Sequence, residues 1–214
     1  MKKQLIFALA VLLSVSGYAQ TKGTSTLGLT LGSNTIKNDY TDPANADTKI
    51  TGLDIGLGYG FFIKDNSKIS LDLSYGRNKQ KSAGTGGSDS KSDTYGASIT
   101  YQKYFPLVGK FYAYAGGKAD YFRSNQSQTV IYNVDPEVRN YKGDTYKLNA
   151  VGGLSWFFAK HWAIETQLLS AGALYANYKQ KYASSTTQLA EQTGFSLNSG
   201  GFLKDTSFKI YFLF

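Results

Sequence analysis

The sequence predicts an all-β protein, a transmembrane antiparallel up-and-down β-barrel of about eight strands. Three observations carry this expectation. Apolar residues alternate with small or polar ones at period two over most of the chain. Long and short polar connections follow one another in regular turn between the alternating runs. The longest apolar run, Leu5 to Val15, is only about eleven residues, whereas a spanning helix needs about twenty.

The bulk numbers agree with a barrel. Hydrophobic residues make up 42% of the 214 residues, and the mean hydropathy of -0.29 is that of a soluble protein. Alternating strands leave little trace in such averages. The 17 Tyr and 13 Phe favour strands, and the 23 Gly suit bends and close backbone approaches. Cysteine is absent, which removes disulfides and thiolate metal sites without fixing the compartment.

The first nineteen residues form a leader. Lys2 and Lys3 make a positive start, Leu5 to Val15 an apolar core, and Gly17-Tyr18-Ala19 a small-residue cleavage site before Gln20. The expected division is therefore a signal peptide over 1-19 and a barrel domain over 20-214. The formal net charge is +8, and removing Lys2 and Lys3 leaves about +6.

Along the mature chain the alternation runs as follows. Leu27, Leu29 and Leu31 share a first face, and Leu53, Ile55, Leu57, Tyr59 and Phe61 a second. Ile69, Leu71, Leu73 and Tyr75 follow, then Tyr95, Ala97, Ile99 and Tyr101. Over 111-122 both faces carry aromatics. Phe111, Ala113, Ala115, Ala119 and Tyr121 are assigned outside because Lys118 and Asp120 share the other face. Tyr146, Leu148, Ala150, Leu154 and Trp156 continue the pattern. Over 162-175, Trp162, Ile164, Thr166 and Leu168 are expected outside, with Glu165 and Gln167 inside. Phe208, Ile210, Phe212 and Phe214 close the chain. Long connections are expected at 34-48, 77-93, 123-143 and 176-205. Short ones are expected at 64-66, 106-110 and 159-161. A hairpin barrel in an outer membrane has this asymmetry of long outer loops and short periplasmic turns. The Gly/Ser/Lys-rich stretch at 77-93 is expected to be a mobile loop.

A secreted barrel would turn its apolar face inward to a ligand, and a membrane barrel turns it outward to lipid. The polar face here is Gly, Ser and Thr with few charges, too sparse in Lys and Glu for a solvated exterior. Aromatics gather near strand ends, at Phe61-Phe62, Tyr104-Phe105, Trp156-Phe157-Phe158 and Trp162, and are expected as headgroup girdles. The expected location is the bacterial outer membrane.

On the Ala-Gln leader, the strand and loop order and the final Phe208-Lys209-Ile210-Tyr211-Phe212-Leu213-Phe214, the chain resembles the eight-stranded OmpA/OmpX class of small outer-membrane barrels. The leader is similar to those of the Bacteroidetes. The resemblance covers about residues 24-214 and is one of architecture rather than of a strict motif. It implies that Phe214, with Phe212 and Tyr211 beside it, is read by the barrel-assembly machinery. Larger members of that class continue into a peptidoglycan-binding domain, which the resemblance does not extend to here.

The face expected to line the lumen carries Asp54, Asp72, Lys118, Asp120, Lys147, Glu165 and Lys209. Opposite charges in a narrow interior should pair, because an unpaired buried charge is expensive. They are expected to form a salt-bridged plug, since about eight strands leave an interior that side chains can fill. Catalysis is not expected. The sole His161 falls in a short turn, Glu165 lies four residues on, and no nucleophile joins them. No metal-ligand spacing occurs, and no cofactor is expected. Gly56-Leu57-Gly58-Tyr59-Gly60 lies inside an alternating strand, so it fails as a phosphate loop. Arg77, Lys79, Lys81 and Lys91 form a basic outer segment without the interleaved aromatics that would stack bases, so nucleic acid is not expected. Outer-membrane lipids, lipopolysaccharide phosphates among them, are the expected partners; the extracellular ligand stays unnamed. The expected function is a non-enzymatic platform with long outer loops, and the rival is a narrow passive pore for small solutes.

Overall fold

The structure, a computed structural model, describes residues 20–38, 47–83, 88–132, 135–181, 186–199 and 207–214. The expected signal peptide lies outside the described residues. Nine strand segments follow one another: β1 (Ser25–Asn38), β2 (Asp47–Lys64), β3 (Ser67–Ala83), β4 (Ser88–Val108), β5 (Phe111–Tyr132), β6 (Asp135–Ala159), β7 (Trp162–Lys181), β8 (Thr186–Ser199) and β9 (Ser207–Leu213). Each strand from β1 to β7 pairs antiparallel with its successor. β7 then carries β8 beside its far half, from Leu169↔Ser199 to Lys181↔Thr186, and β9 beside its start, from Trp162↔Phe212 to Glu165↔Lys209. β9 also pairs with β1, from Thr26↔Leu213 to Gly32↔Ser207, and closes the ring. β8 and β9 share one position, so the ring has eight strands.

Chemistry at three two-residue turns sets the short end. Asp65–Asn66, Gly109–Lys110 and Lys160–His161 join rungs Lys64↔Ser67, Val108↔Phe111 and Ala159↔Trp162. Asn66 and Gly109 take φ of 58° and 56°, the left-handed region that Asn and Gly tolerate best.

The other end corrects the expected loops. Pairing continues to Asn38↔Thr48, Lys81↔Asp89, Tyr132↔Asp135 and Lys181↔Thr186. Most of 77-93, 123-143 and 176-205 is therefore strand, as are 34–38 and 47–48 within 34-48. The polar stretches keep period two, and each further rung satisfies backbone groups without any apolar face. The expected mobile loop at 77-93 is thus a paired hairpin apart from 84–87, which lie outside the described residues.

The packing is that of a soluble protein turned inside out. Leu57, Leu73 and Leu148 are 57%, 60% and 68% exposed, while Ser70, Gln102 and Glu165 are at most 8% exposed. The outward apolar row runs from Leu53 to Phe61 on β2 and from Tyr146 to Trp156 on β6. These spans match the about 9–11 residues with which a tilted strand crosses a bilayer. Strands of 18 and 25 residues leave the rest to project.

Two expectations about faces are corrected. Of the aromatic clusters, only Phe61, Phe105, Trp156, Phe158 and Trp162 face outward; Phe62, Tyr104 and Phe157 are buried in the lumen. Neighbours in a strand point to opposite sides, so a contiguous pair cannot both join a girdle. On β7, Gly153 pairs with Gln167 and Gly152 with Leu169. Leu168 is the extra residue of a bulge. It inverts the parity, so Leu169, Ala173 and Tyr175 continue the outer face.

The stagger of the ring decides which side chains meet across it. From Thr30 the rungs lead through Gly56, Ser74, Gly96, Phe122 and Thr145 to Ala176. In the other direction they lead through Lys209 to Glu165, about eleven residues away on the same strand. Strands in a closed barrel are tilted, and a full circuit must accumulate such a shift. Half a circuit therefore displaces opposing residues by about five positions.

A candidate functional site in the lumen

At the turn end, large side chains on even positions of β2, β4 and β5 and on odd positions of β6 and β9 converge on the axis. Phe62, Tyr104, Tyr114, Phe157, Tyr211 and Leu213 are all at most 5% exposed. The Tyr104 ring centroid lies 5.8 Å from that of Phe62 and 6.0 Å from those of Tyr114 and Phe157. Within this aromatic packing sits one buried ion pair, Lys68 Nζ to Glu165 Oε2 at 3.7 Å. Their strands, β3 and β7, are diametrically opposite. The rungs from Lys68 lead through Gln102, Gly116 and Val151 to Ser170. The half-circuit displacement of about five then lands on Glu165.

Glu165 is fully occupied as an acceptor. Gln102 Nε2 donates to it at 2.7 Å, Tyr104 and Ser155 hydroxyls at 3.0 Å each, and the Tyr211 hydroxyl at 3.1 Å. The Lys68 ammonium lies 3.8 Å from the Tyr211 ring centroid, a favourable cation–π placement. The plug is thus an aromatic layer built around a single carboxylate, not the web of charges expected from the sequence.

Above the plug a cavity of about 210 Å³ holds most of the predicted lumen charges. Asp54, Asp72, Lys118, Asp120, Glu165 and Lys209 line it. Lys209 pairs with Asp72 across β9 and β3. Lys118 Nζ is 2.9 Å from Asp120 on its own strand, and Asn149 Nδ2 donates to Asp120 at 3.1 Å. Lys147 stands apart from the cavity, its ammonium 5.3 Å from the Phe122 ring centroid. Among the described residues Asp54 and Lys147 have no ion-pair partner, so the seven predicted charges do not form one network. Sequence reasoning missed Lys68. The parity of Ser70 and Asp72 already placed it inside, and its full burial at 1% exposure comes from the plug.

The remaining predicted residues fall elsewhere. His161 Nδ1 bonds the Leu213 carbonyl at 2.8 Å and makes no contact with Glu165, so no dyad forms. Phe212 and Phe214 face outward, with ring centroids 6.1 Å apart, whereas Tyr211 belongs to the plug. On the outer surface, just past the apolar band, two similar clamps occur. Tyr75 Oη and Arg77 Nε both donate to Asp93 at 2.6 Å, and Lys91 Nζ lies 3.5 Å from it. Tyr121 donates to Asp144 at 2.7 Å, with Arg123 3.5 Å away. Among the described residues Lys79 and Lys81 make no such pair. Among the described residues no three His, Asp or Glu side chains gather as metal ligands would.

The fold is shared with outer-membrane barrels. The chain is similar to the translocator domain of the autotransporter NalP from Neisseria meningitidis, with a TM-score of 0.54 and 16% identity. That alignment covers 92% of this chain and 65% of the neisserial one, so this chain spans somewhat less than two thirds of its length. It is also similar to the outer membrane protein OprG from Pseudomonas aeruginosa, with a TM-score of 0.52 and 11% identity over 93% and 99% of the two chains. No curated protein matches the sequence. Residues 5–200 match the outer membrane protein beta-barrel domain family. The chain belongs to that family and is a β-barrel of the bacterial outer membrane.

Proposed function

We propose that this barrel is a closed, non-enzymatic platform, holding its projecting hairpins outside the cell as an interaction surface. The observation that carries this reading is the plug. Phe62, Lys68, Tyr104 and Leu213 are each at most 2% exposed across the lumen axis, and close packing of such side chains supports a closed lumen. Catalysis has no support from the geometry. Glu165 spends its lone pairs on four donors, and no nucleophile stands beside it. The barrel-assembly machinery is the partner in biogenesis. Phe214 and Phe212, outward at the closing strand, are the residues it would read.

The rival reading, a narrow pore, draws on the charge-lined cavity above the plug. Conductance of the purified barrel in planar bilayers decides between them. The platform predicts no ion current above the bare membrane. A steady single-channel current in the parent protein would overturn it.

A further inference from the structure

The outer face of the last strand does not determine where that strand closes the ring. Outward Phe208, Ile210 and Phe212 of β9 lie against Leu31, Leu29 and Leu27 of β1. A slip of two residues would keep every side chain on its own face and exchange one apolar contact for another. Nor does β8 hand its register on. Ser199 and Lys209 are ten positions apart in the chain, whereas their partners on β7, Leu169 and Glu165, are four apart. Register must therefore come from the inner face of β9, which carries Lys209, Tyr211 and Leu213.

Of these, Lys209 pairs with Asp72 on β3, across the two intervening strands β1 and β2. Its stem takes a path that two glycines leave open. A Cβ on Gly28 of β1 would lie 2.6 Å from Lys209 Cε. A Cβ on Gly58 of β2 would lie 2.8 Å from Lys209 Nζ and collide with Asp72 Oδ1. Gly28, Gly58 and Asp72 stand on one line of rungs. The neighbouring inner lines are built differently. Two residues toward the hairpin end the line runs Thr30, Gly56, Ser74, and two residues toward the turn end it runs Thr26, Gly60, Ser70. A β9 slipped by two, with the same lean, would drive the lysine stem against a threonine and leave Asp72 unpaired. The Asp72 side chain is only 21% exposed, and a shielded charge without a partner is costly. We propose that Lys209, through Asp72 and the Gly28–Gly58 trough, sets the register in which β9 closes the barrel. It is a positioning residue of the closure step and acts from the lumen side, apart from outward Phe212 and Phe214. This goes beyond the platform reading and holds whether or not the lumen conducts.

The test traps the register of the full chain assembled in outer membranes. The protein has no cysteine of its own. Facing Cα atoms about 4.5–5.5 Å apart can be joined by a disulfide, whereas diagonal neighbours at roughly 7–8 Å cannot. F208C with L31C reports the native rung, and F208C with L29C or with S33C reports a slip of two in either direction. In the parent background the native link should form and the slipped links should be scarce, as read by peptide mass spectrometry. K209Q should raise the slipped links about tenfold against the native one, the factor implied by losing one hydrogen bond between charged groups. D72N should raise the link to S33C in particular. That register brings Lys209 opposite Gly32, the rung partner of Asp54. Asp54 has no ion-pair partner among the described residues and tolerates this in the native register because it is exposed. Y211F removes the hydroxyl bond to Glu165 and should leave the register unchanged. Slipped links that do not rise in K209Q and D72N would overturn the proposal. So would an equal rise with Y211F, which would mark a general loosening of the plug.

Discussion

Replacing the two members of the buried ion pair one at a time should give unequal costs. Lys68 and Glu165 are 1% and 8% exposed, so each is desolvated. Breaking a buried pair by removing one partner costs about 3–5 kcal/mol. Lys68→Met preserves much of the stem's packing and leaves Glu165 with four hydrogen-bond donors. Its cost should sit at the lower end, about 3 kcal/mol. Glu165→Ala strands the Lys68 ammonium, deprives Gln102, Tyr104, Ser155 and Tyr211 of their shared acceptor and opens a void. An unsatisfied buried group costs about 1–3 kcal/mol, so the loss should reach or pass about 5 kcal/mol. The double variant should cost less than the two losses added, because the pair interacts directly. Urea unfolding of the barrel in lipid vesicles, followed by the fluorescence of Trp156 and Trp162, reads these values. If both single variants cost under about 1 kcal/mol, the value for exposed pairs, water reaches the pair. The packed plug would then be refuted.

Three other outcomes are expected. Leu71→Arg, in the middle of the outward row of β3, should destabilise the inserted barrel by about 2–4 kcal/mol, read by the same unfolding assay, while Lys79→Arg beyond the band should be near neutral. A cysteine at Gln126 should react with a membrane-impermeant reagent on intact cells, and one at Asn66 or Lys160 should not; the reverse would invert the orientation. Deleting Phe214 should lower the amount of folded barrel in the outer membrane, measured as the heat-modifiable band. Unchanged levels would remove Phe214 from the assembly signal.

Period two was legible in the chain, and with it much of the fold. The alternation of Leu53 to Phe61 with Asp54 and three glycines determines a strand with one lipid face, whatever its neighbours are. The two-residue turns at Asn66 and Gly109 were likewise local, since they depend on which residues tolerate positive φ. Parity also placed Asp54, Asp72, Lys118, Asp120, Lys147, Glu165 and Lys209 on the inner face. What parity does not contain is height around a closed ring. Lys68 meets Glu165 because half a circuit of stagger adds about five residues, and that shift is a property of closure, not of any segment. The same stagger leaves Asp54 and Lys147 without an ion-pair partner among the described residues. Local exceptions escaped for a related reason. The bulge at Leu168 costs one unpaired residue and flips every later side chain on β7, yet no residue type demands it. Phe62, Tyr104 and Phe157 read like their outward neighbours until the lumen shows the space they fill. The sequence by itself determined the strands and their lipid face, because a period is local. The closed ring decided which inner side chains meet, Lys68 with Glu165 above all, because those contacts cross the lumen between strands four apart.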